Sequence, residues 1–266
     1  MFVFLSHDID WGKEGAPIAH IMARKERFDE ETLRNAESKN PYYNFPEYMA
    51  IEENYGVRST FFFRTYVPSS ALPPAPYNIE EYKQEIEELV RGGWEIGLHL
   101  DPSSHSEFSL VQKEKKTLEK ITGMPVYGNR VHYTMNNDLL HLNLQKAGFK
   151  YDSSAKFSRE KISEQDLGYF KKNHLIVFPI TIMDALAFKY LVENEDDVVK
   201  LVKKVVEMCR KLPRKDKIIT ILWHDCSLKM LKGRRYAEVL SMLIAQKDIE
   251  IKRGIDLVKV IEEGVL

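Results

Sequence analysis

Cysteine is nearly missing from this chain of 266 residues, with only Cys209 and Cys226 present. They are far apart in sequence and fit neither a disulfide framework nor a paired-cysteine zinc knuckle, so both are expected as reduced residues in or near the core. Long apolar runs are lacking too. None approaches the roughly 20 residues of a membrane-spanning helix. Net charge is almost absent, with 39 Lys and Arg against 40 Asp and Glu for a formal value of −1, which argues against an electrostatic nucleic-acid or membrane-surface binder. The N-terminus has no basic region, apolar stretch or small-residue cleavage site, so no signal peptide is read and a cytoplasmic location is expected. There is no internal repeat and no low-complexity tract.

The composition that remains, 44% hydrophobic and 11% aromatic with charge spread along the chain, belongs to an ordinary globular protein with ample core. Phe2-Val3-Phe4-Leu5 followed by Ser6-His7-Asp8-Ile9-Asp10-Trp11 reads as a buried strand whose carboxyl end opens into a polar site. Two acids spaced i, i+2 repel unless a cation or proton sits between them, which suits a pair made of a general base and a metal ligand. Residues 12–44 form a long charged excursion near the mouth of this strand, helical near Ile18 to Arg27.

Helical and strand patterns then alternate. Helices are expected over Phe45–Tyr55, Ile79–Arg91, Ser109–Ile121, up to Ala147 from a cap at Asn136 or Asn137, Val198–Arg210, Arg234–Ala245 and Ile255–Glu262. Strands are expected over Val57–Phe63, Trp94–Leu100, Val126–Val131, Phe149–Tyr151, Ile176–Phe178, Ile218–Trp223 and Ile249–Ile251. A Pro-rich loop, 67–77, is expected over the barrel mouth. The alternation repeats about seven times without an internal boundary, which predicts an α/β fold: one barrel-like (β/α) domain over 1–266, with the 12–44 insertion near its mouth.

In a parallel barrel the carboxyl ends of all strands point to one rim, so polar residues distant in sequence meet there. Those ends deliver Asp8 and Asp10; His99 and His105; Arg130, His132 and Tyr133; Asp152; Asp184; and His224 with Asp225. Five of the eight histidines fall at or just beyond expected strand ends, which random scatter does not produce. One carboxylate and two imidazoles make a three-ligand site for a divalent ion with open positions for water. A second carboxylate takes a proton from that water, an opposing histidine protonates a leaving amine, and Arg130 orients the acid serving as base. Asp184 either orients His224 or ends a strand, and Asp225 reads as a capping residue. Trp11 and the Tyr42-Tyr43 pair are offered as stacking platforms for a sugar ring, whereas Trp94 reads as core. The basic cluster Lys229, Lys232, Arg234 and Arg235 reads as a solvated loop.

These residues resemble the polysaccharide deacetylase family of metal-dependent carbohydrate esterases, which implies a distorted (β/α)7-type barrel. Ser6-His7-Asp8-Ile9-Asp10 is similar to its first motif, making Asp8 the base and Asp10 a metal ligand. Gly97-Leu98-His99 through His105 resembles the second motif, two metal-binding histidines, although six residues separate them instead of four and Pro102 intervenes; Asp101 is an alternative to His105 as ligand. Gly128-Asn129-Arg130-Val131-His132-Tyr133 resembles the third, whose arginine contacts the base, with His132 at a position where proline is common. Tyr151-Asp152-Ser153-Ser154 resembles the segment bearing a strand-end aspartate, and Leu222-Trp223-His224 the motif of the general acid.

The implied site therefore comprises catalytic Asp8, Arg130, Asp152 and His224, metal-binding Asp10, His99 and His105, and substrate-binding Trp11, His132 and Tyr133. The implied activity is zinc-dependent removal of an acetyl group from an N-acetylated sugar or saccharide precursor, with a small-molecule or oligosaccharide substrate as partner and the oligomeric state open. The alternatives are hydrolysis of a small non-sugar amide and a catalytically silent saccharide-binding protein.

Overall fold

The computed structural model describes residues 1–66, 77–264 and 266. The loop expected over 67–77 lies, apart from Tyr77, outside the described residues.

One sheet organises the molecule, in the order β6-β7-β5-β4-β3-β2-β1-β9-β8, with β10 also pairing β1. Its strands are β1 (Phe2–Ile9), β2 (Thr60–Phe63), β3 (Glu95–Leu100), β4 (Gly128–Val131), β5 (Tyr151–Asp152), β6 (Phe170–Lys172), β7 (Leu175–Val177), β8 (Ile182–Met183), β9 (Ile218–Leu222) and β10 (Glu250–Lys252). Every pairing is parallel except β6 with β7, so the carboxyl ends of the parallel strands share one rim. The curled sheet with helices on its outer face is the expected distorted barrel.

The helices are α1 (Ile18–Met22) and α2 (Glu30–Arg34) in the 12–44 segment, then α3 (Phe45–Asn54), α4 (Lys83–Gly92), α5 (Phe108–Thr122), α6 (Asp138–Lys146), α7 (Asp184–Tyr190), α8 (Asp196–Lys211), α9 (Tyr236–Ile244) and α10 (Gly254–Glu262). The expected helix from Ile18 to Arg27 is shorter: α1 ends at Met22, and Lys25–Arg27 is a separate 3-10 turn. The antiparallel β6 and the β8–α7 pair carry too few residues for a periodic signal and were not expected. Among the described residues, no helix is long and apolar enough to cross a membrane.

Strand alternation divides the core in two. Val3, Leu5 and Ile9 of β1, Phe61 and Phe63 of β2, and Ile96, Leu98 and Leu100 of β3 face the helices in the larger cluster. Phe4, Phe62, Tyr151, Ile176, Phe178 and Ile218 face the opposite side, where Leu257, Val258 and Ile261 of α10 close over them. Packing inside the curl is tight enough to demand glycine. A Cβ at Gly97 would lie 2.4 Å from the Phe62 ring, and one at Gly128 would lie 2.2 Å from the Tyr151 ring.

The 12–44 segment packs Ala16, Ile21, Phe28, Ala36 and Tyr42 with Trp11 and Met230 into a small separate core. Asn44, at the start of α3, does not cap it through its side chain. Its amide donates to the carbonyls of Pro41 (2.6 Å) and Asp225 (3.1 Å), tying this segment to the end of β9.

Candidate active site

The inner face of β1 continues from Phe4 through Ser6 and Asp8 to Asp10, so one strand carries an aromatic floor, a hydroxyl and two acids in ascending order. Arg130, on the inner face of β4, lies over the Phe62 ring at 4.4 Å. Its guanidinium donates to Asp8 Oδ1 (2.8 Å), Ser6 Oγ (2.9 Å), Ser153 Oγ (2.8 Å) and the Ser153 carbonyl (2.9 Å). The Asp8 carboxylate is thereby fixed through one oxygen, while the other faces His99 Nε2 at 3.7 Å and His224 Nε2 at 4.0 Å.

Asp10 Oδ1 lies 3.1 Å from His99 Nε2 and 3.3 Å from His132 Nδ1, and the two imidazole nitrogens are 3.1 Å apart. The ligand atoms of these three residues all lie within 4.8 Å of one another. His99 Nδ1 donates to the Arg130 carbonyl at 3.0 Å, which in the neutral ring leaves the Nε2 lone pair aimed at the cluster. Asp10 Oδ1 is buried and receives no hydrogen bond. Burial opposes ionisation of Asp10, but the proximity of His132 and then His99 holds its carboxyl well below the usual carboxylate range. A buried anionic oxygen facing two imidazole nitrogens is a donor set that fits a divalent cation.

Across the cluster, His224 Nε2 lies 3.9 Å from Asp10 Oδ2. Its Nδ1 donates to Asp184 Oδ1 at 2.5 Å, and its backbone N–H donates to Asp184 Oδ2 at 2.8 Å, so one carboxylate fixes both ring and main chain. Burial works against charge on His224, yet Asp184, followed by Asp10 and Asp8, pushes its pKa up to about 10. Burial would raise the Asp184 pKa, and the adjacent His224 lowers it below the ordinary value. Asp225 is spent on the backbone: its Oδ1 accepts from Cys226 N (2.8 Å) and faces Asp10 N at 3.5 Å. Burial, then the charge of Asp10, pushes its carboxyl well above the carboxylate range.

The expected ligand triad of Asp10, His99 and His105 is not the one brought together. His105 ends the 3-10 turn Pro102–Ser104, and its Nδ1 donates to the Pro102 carbonyl at 2.7 Å. Asp101, the alternative, pairs with Arg64 (3.2 Å) and accepts from Ser103 N and Oγ. The ring that joins Asp10 and His99 instead is that of His132, expected as a substrate contact. His132 N donates to the Leu100 carbonyl at 3.0 Å, extending the β3–β4 ladder so that its ring meets that of His99. The sequence did carry the signal: His132 is two residues beyond Arg130, and strand alternation puts both on the inner face. Tyr133 and Thr134 follow with φ of 66° and 64°, a left-handed turn that costs about 1 kcal/mol per residue without glycine.

Asp152 likewise does not join the cluster. Its carboxylate accepts from Asn129 Nδ2 (2.7 Å) and Ser154 Oγ (2.5 Å), while Val131 N donates to that serine oxygen. The arrangement braces β4 against β5 and contributes no atom to the rim. Trp11 is only 7% exposed and packs edge-on to His20 and Tyr42 in the insertion's own core, which removes both Trp11 and Tyr42 as open platforms. Tyr133 is 65% exposed and lies against the His132 ring at 3.9 Å between centroids. The basic cluster is paired: Lys229 with Glu47, Arg234 with Glu195 and Asp29, and Arg235 with Asp196, while Lys232 donates to the Phe188 and Val192 carbonyls.

Asp10 and His224 both line a cavity of about 400 Å³ whose wall includes Ala185, Phe188, Met230 and Leu231. Glu26 and Arg27 of the 12–44 segment stand on its rim.

No protein-family profile matches this sequence, and no curated protein matches it either. Solved structures do. A candidate polysaccharide deacetylase from Mycobacterium smegmatis superposes with TM-score 0.68 at 16% identity, covering 100% of this chain and 91% of that one. PuuE allantoinase gives 0.67 at 13%, covering 97% and 89%, and a candidate polysaccharide deacetylase from Pseudomonas aeruginosa PAO1 gives 0.65 at 13% with the same coverages. At these identities the likeness is one of fold, and the chain therefore has the polysaccharide deacetylase fold.

Proposed function

We propose that this protein is a metal-dependent hydrolase that cleaves an acyl amide, with Asp10, His99 and His132 holding the metal. The observation that carries this reading is the buried Asp10 oxygen, without a hydrogen bond, facing two ring nitrogens. One carboxylate and two imidazoles suit zinc among the common divalent ions. Bound there, the ion supplies Lewis acidity toward an acyl oxygen and a water molecule.

Asp8 is the general base. Arg130 occupies Oδ1, so Oδ2, which faces the cluster, is the oxygen that accepts the proton of the attacking water. His224 is the general acid. Its raised pKa keeps Nε2 protonated at neutral pH, and Asp184 holds the ring from the far side, so Nε2–H is the proton delivered to the departing amine. Arg130 also keeps the charge of Asp8 compensated in a buried site.

The preferred substrate is an N-acetylated sugar or saccharide precursor, a reading supported by the polysaccharide deacetylases among the proteins of like fold. A small non-sugar amide is a second reading. It is favoured by the apolar wall of Ala185, Phe188 and Met230 beside His224 and by the allantoinase among the proteins of like fold. The deciding experiment loads purified protein with zinc, cobalt or nickel, measures bound metal, and screens N-acetylated sugars for acetate release alongside small amides for amine release. Stoichiometric metal with acetate release supports the first reading, and amine release from small amides alone moves the assignment to the second. Absence of stoichiometric metal under all three supplements would sink both and favour a silent saccharide-binding protein.

A further inference from the structure

Behind the cluster, on the helix-facing side of β1, His7 is fully buried. Its Nδ1 donates to the Trp223 carbonyl at 2.7 Å, since a carbonyl can only accept. Its Nε2 lies 2.7 Å from Glu52 Oε1 and 3.2 Å from the Tyr236 hydroxyl. Glu52, itself fully buried on α3, also accepts from Tyr236 Oη at Oε1 and from Trp94 Nε1 at Oε2, both at 2.7 Å. The imidazole packs against the Tyr48 ring (4.5 Å) and the Phe61 ring (4.7 Å). Little freedom is left to it.

This polar network, enclosed in the apolar layer between sheet and helices, serves nothing in the chemistry described so far, and burying it is costly unless every member is satisfied. What it touches is informative. Trp223 immediately precedes His224, and its carbonyl lies where β1 and β9 part company: their register ends at Ser6 with Leu222, followed by Trp223 N to the Ser6 carbonyl at 3.0 Å. Beyond that point the ladder does not continue between the two strand ends, one carrying Asp8 and Asp10 and the other His224, and the side-chain link there is the long 3.5 Å contact of Asp10 N with Asp225 Oδ1. Tyr48, one turn before Glu52 on α3, donates its hydroxyl to the His224 carbonyl at 3.1 Å. The peptide groups flanking His224 are thus held by His7 of β1 and Tyr48 of α3 at their carbonyls and by Asp184 at the His224 N–H.

We propose that His7, anchored by Glu52, is a positioning residue that sets the distance between the β1 acids and His224 through the Trp223 carbonyl. The inference rests on the reading of His224 as the proton donor. An apolar residue at position 7 would place β1 in the sheet equally well, but would leave the Trp223 carbonyl and Glu52 buried and short of partners.

Two substitutions separate this role from simple stabilisation. His7→Asn keeps a donor near the place of Nδ1, facing Trp223, and gives up the contact with Glu52. His7→Gln keeps a polar group near the place of Nε2, facing Glu52, and gives up the Trp223 bond. In the zinc-loaded protein, His7→Gln is expected to lower kcat by about 10- to 100-fold with KM and zinc affinity little changed, while His7→Asn retains most of the turnover. Equal losses in the two folded variants, a loss confined to KM or zinc affinity, or unchanged turnover in His7→Gln would overturn the proposal. If both variants fail to fold, Tyr48→Phe removes the companion bond to the His224 carbonyl and is expected to lower kcat in the same way; full turnover there would overturn it.

A readout independent of activity is the NMR resonance of the His224 Nδ1 proton shared with Asp184. It should shift in His7→Gln and hold its position in His7→Asn, and an unshifted signal in both refutes the positioning role. Should wild-type protein hydrolyse no amide, the hydrolase reading fails by itself, and this resonance still decides whether His7 places His224.

Discussion

His132 Nδ1 lies 3.1 Å from His99 Nε2, ring nitrogen to ring nitrogen, on residues that leave adjacent parallel strands. Two imidazoles at this distance beside the buried Asp10 Oδ1 bring candidate ligand atoms together from three strand ends, and His105 on its turn is not among them.

Removing a true ligand costs more affinity than removing a bystander. His132→Ala is expected to weaken zinc binding by more than about 100-fold, beyond what loss of an outer hydrogen-bond partner produces. His105→Ala, which breaks only the local bond to the Pro102 carbonyl, should leave the affinity within a few-fold. Competition against a chromophoric chelator measures both, and the reverse ranking would return the third position to His105.

Asp8→Asn tests the division of labour between the two acids. Metal content should stay stoichiometric, because Asp10 and the two histidines are untouched, and kcat should fall by about 10²- to 10⁴-fold, as for loss of a general base. Since Asp8 neutralises the buried Arg130, the variant is also expected to lose about 3–5 kcal/mol of stability, so turnover is compared at a temperature where both proteins are folded.

The pair of His224 and Asp184 makes stability depend on pH in a defined direction. The folded-state pKa of His224 is raised from 6.5 to about 10, so its contribution is fully present below 6.5 and is lost as pH rises through 10. Thermal melts of metal-free protein should show Tm falling across that interval. In His224→Asn the fall should be distinctly shallower, and an identical slope in the variant would contradict the ion pair.

Gly97→Ala probes the close approach inside the curl. The new methyl would lie 2.4 Å from the Phe62 ring, and Phe62 in turn carries the Arg130 guanidinium at 4.4 Å. Overpacking of this kind costs about 1–3 kcal/mol, read as a lower Tm. Because the displaced ring supports Arg130, kcat should fall as well, whereas an alanine accommodated without loss of either would show that the interior yields.

Much of this protein was legible from the chain itself. The alternating apolar segments predicted a parallel barrel, and the acids and histidines at the strand ends predicted its rim, because a side-chain period of two and parallel strands send such residues to one place. Asp8, Asp10, His99, Arg130 and His224 were among the residues placed at strand ends on that basis, and the structure brings these five together. The tertiary structure decided the rest. Strand alternation from Arg130 points to His132, but that its ring rather than that of His105 meets Asp10 and His99 depends on the local 3-10 turn at Pro102 and on the β3–β4 ladder continuing past Leu100, which the spacing of the two histidines does not encode. The burial of Trp11 against Tyr42, the hold of Asn129 on Asp152 and the Asp184 clamp on His224 are likewise contacts between residues 23 to 40 apart in sequence, set by tertiary packing.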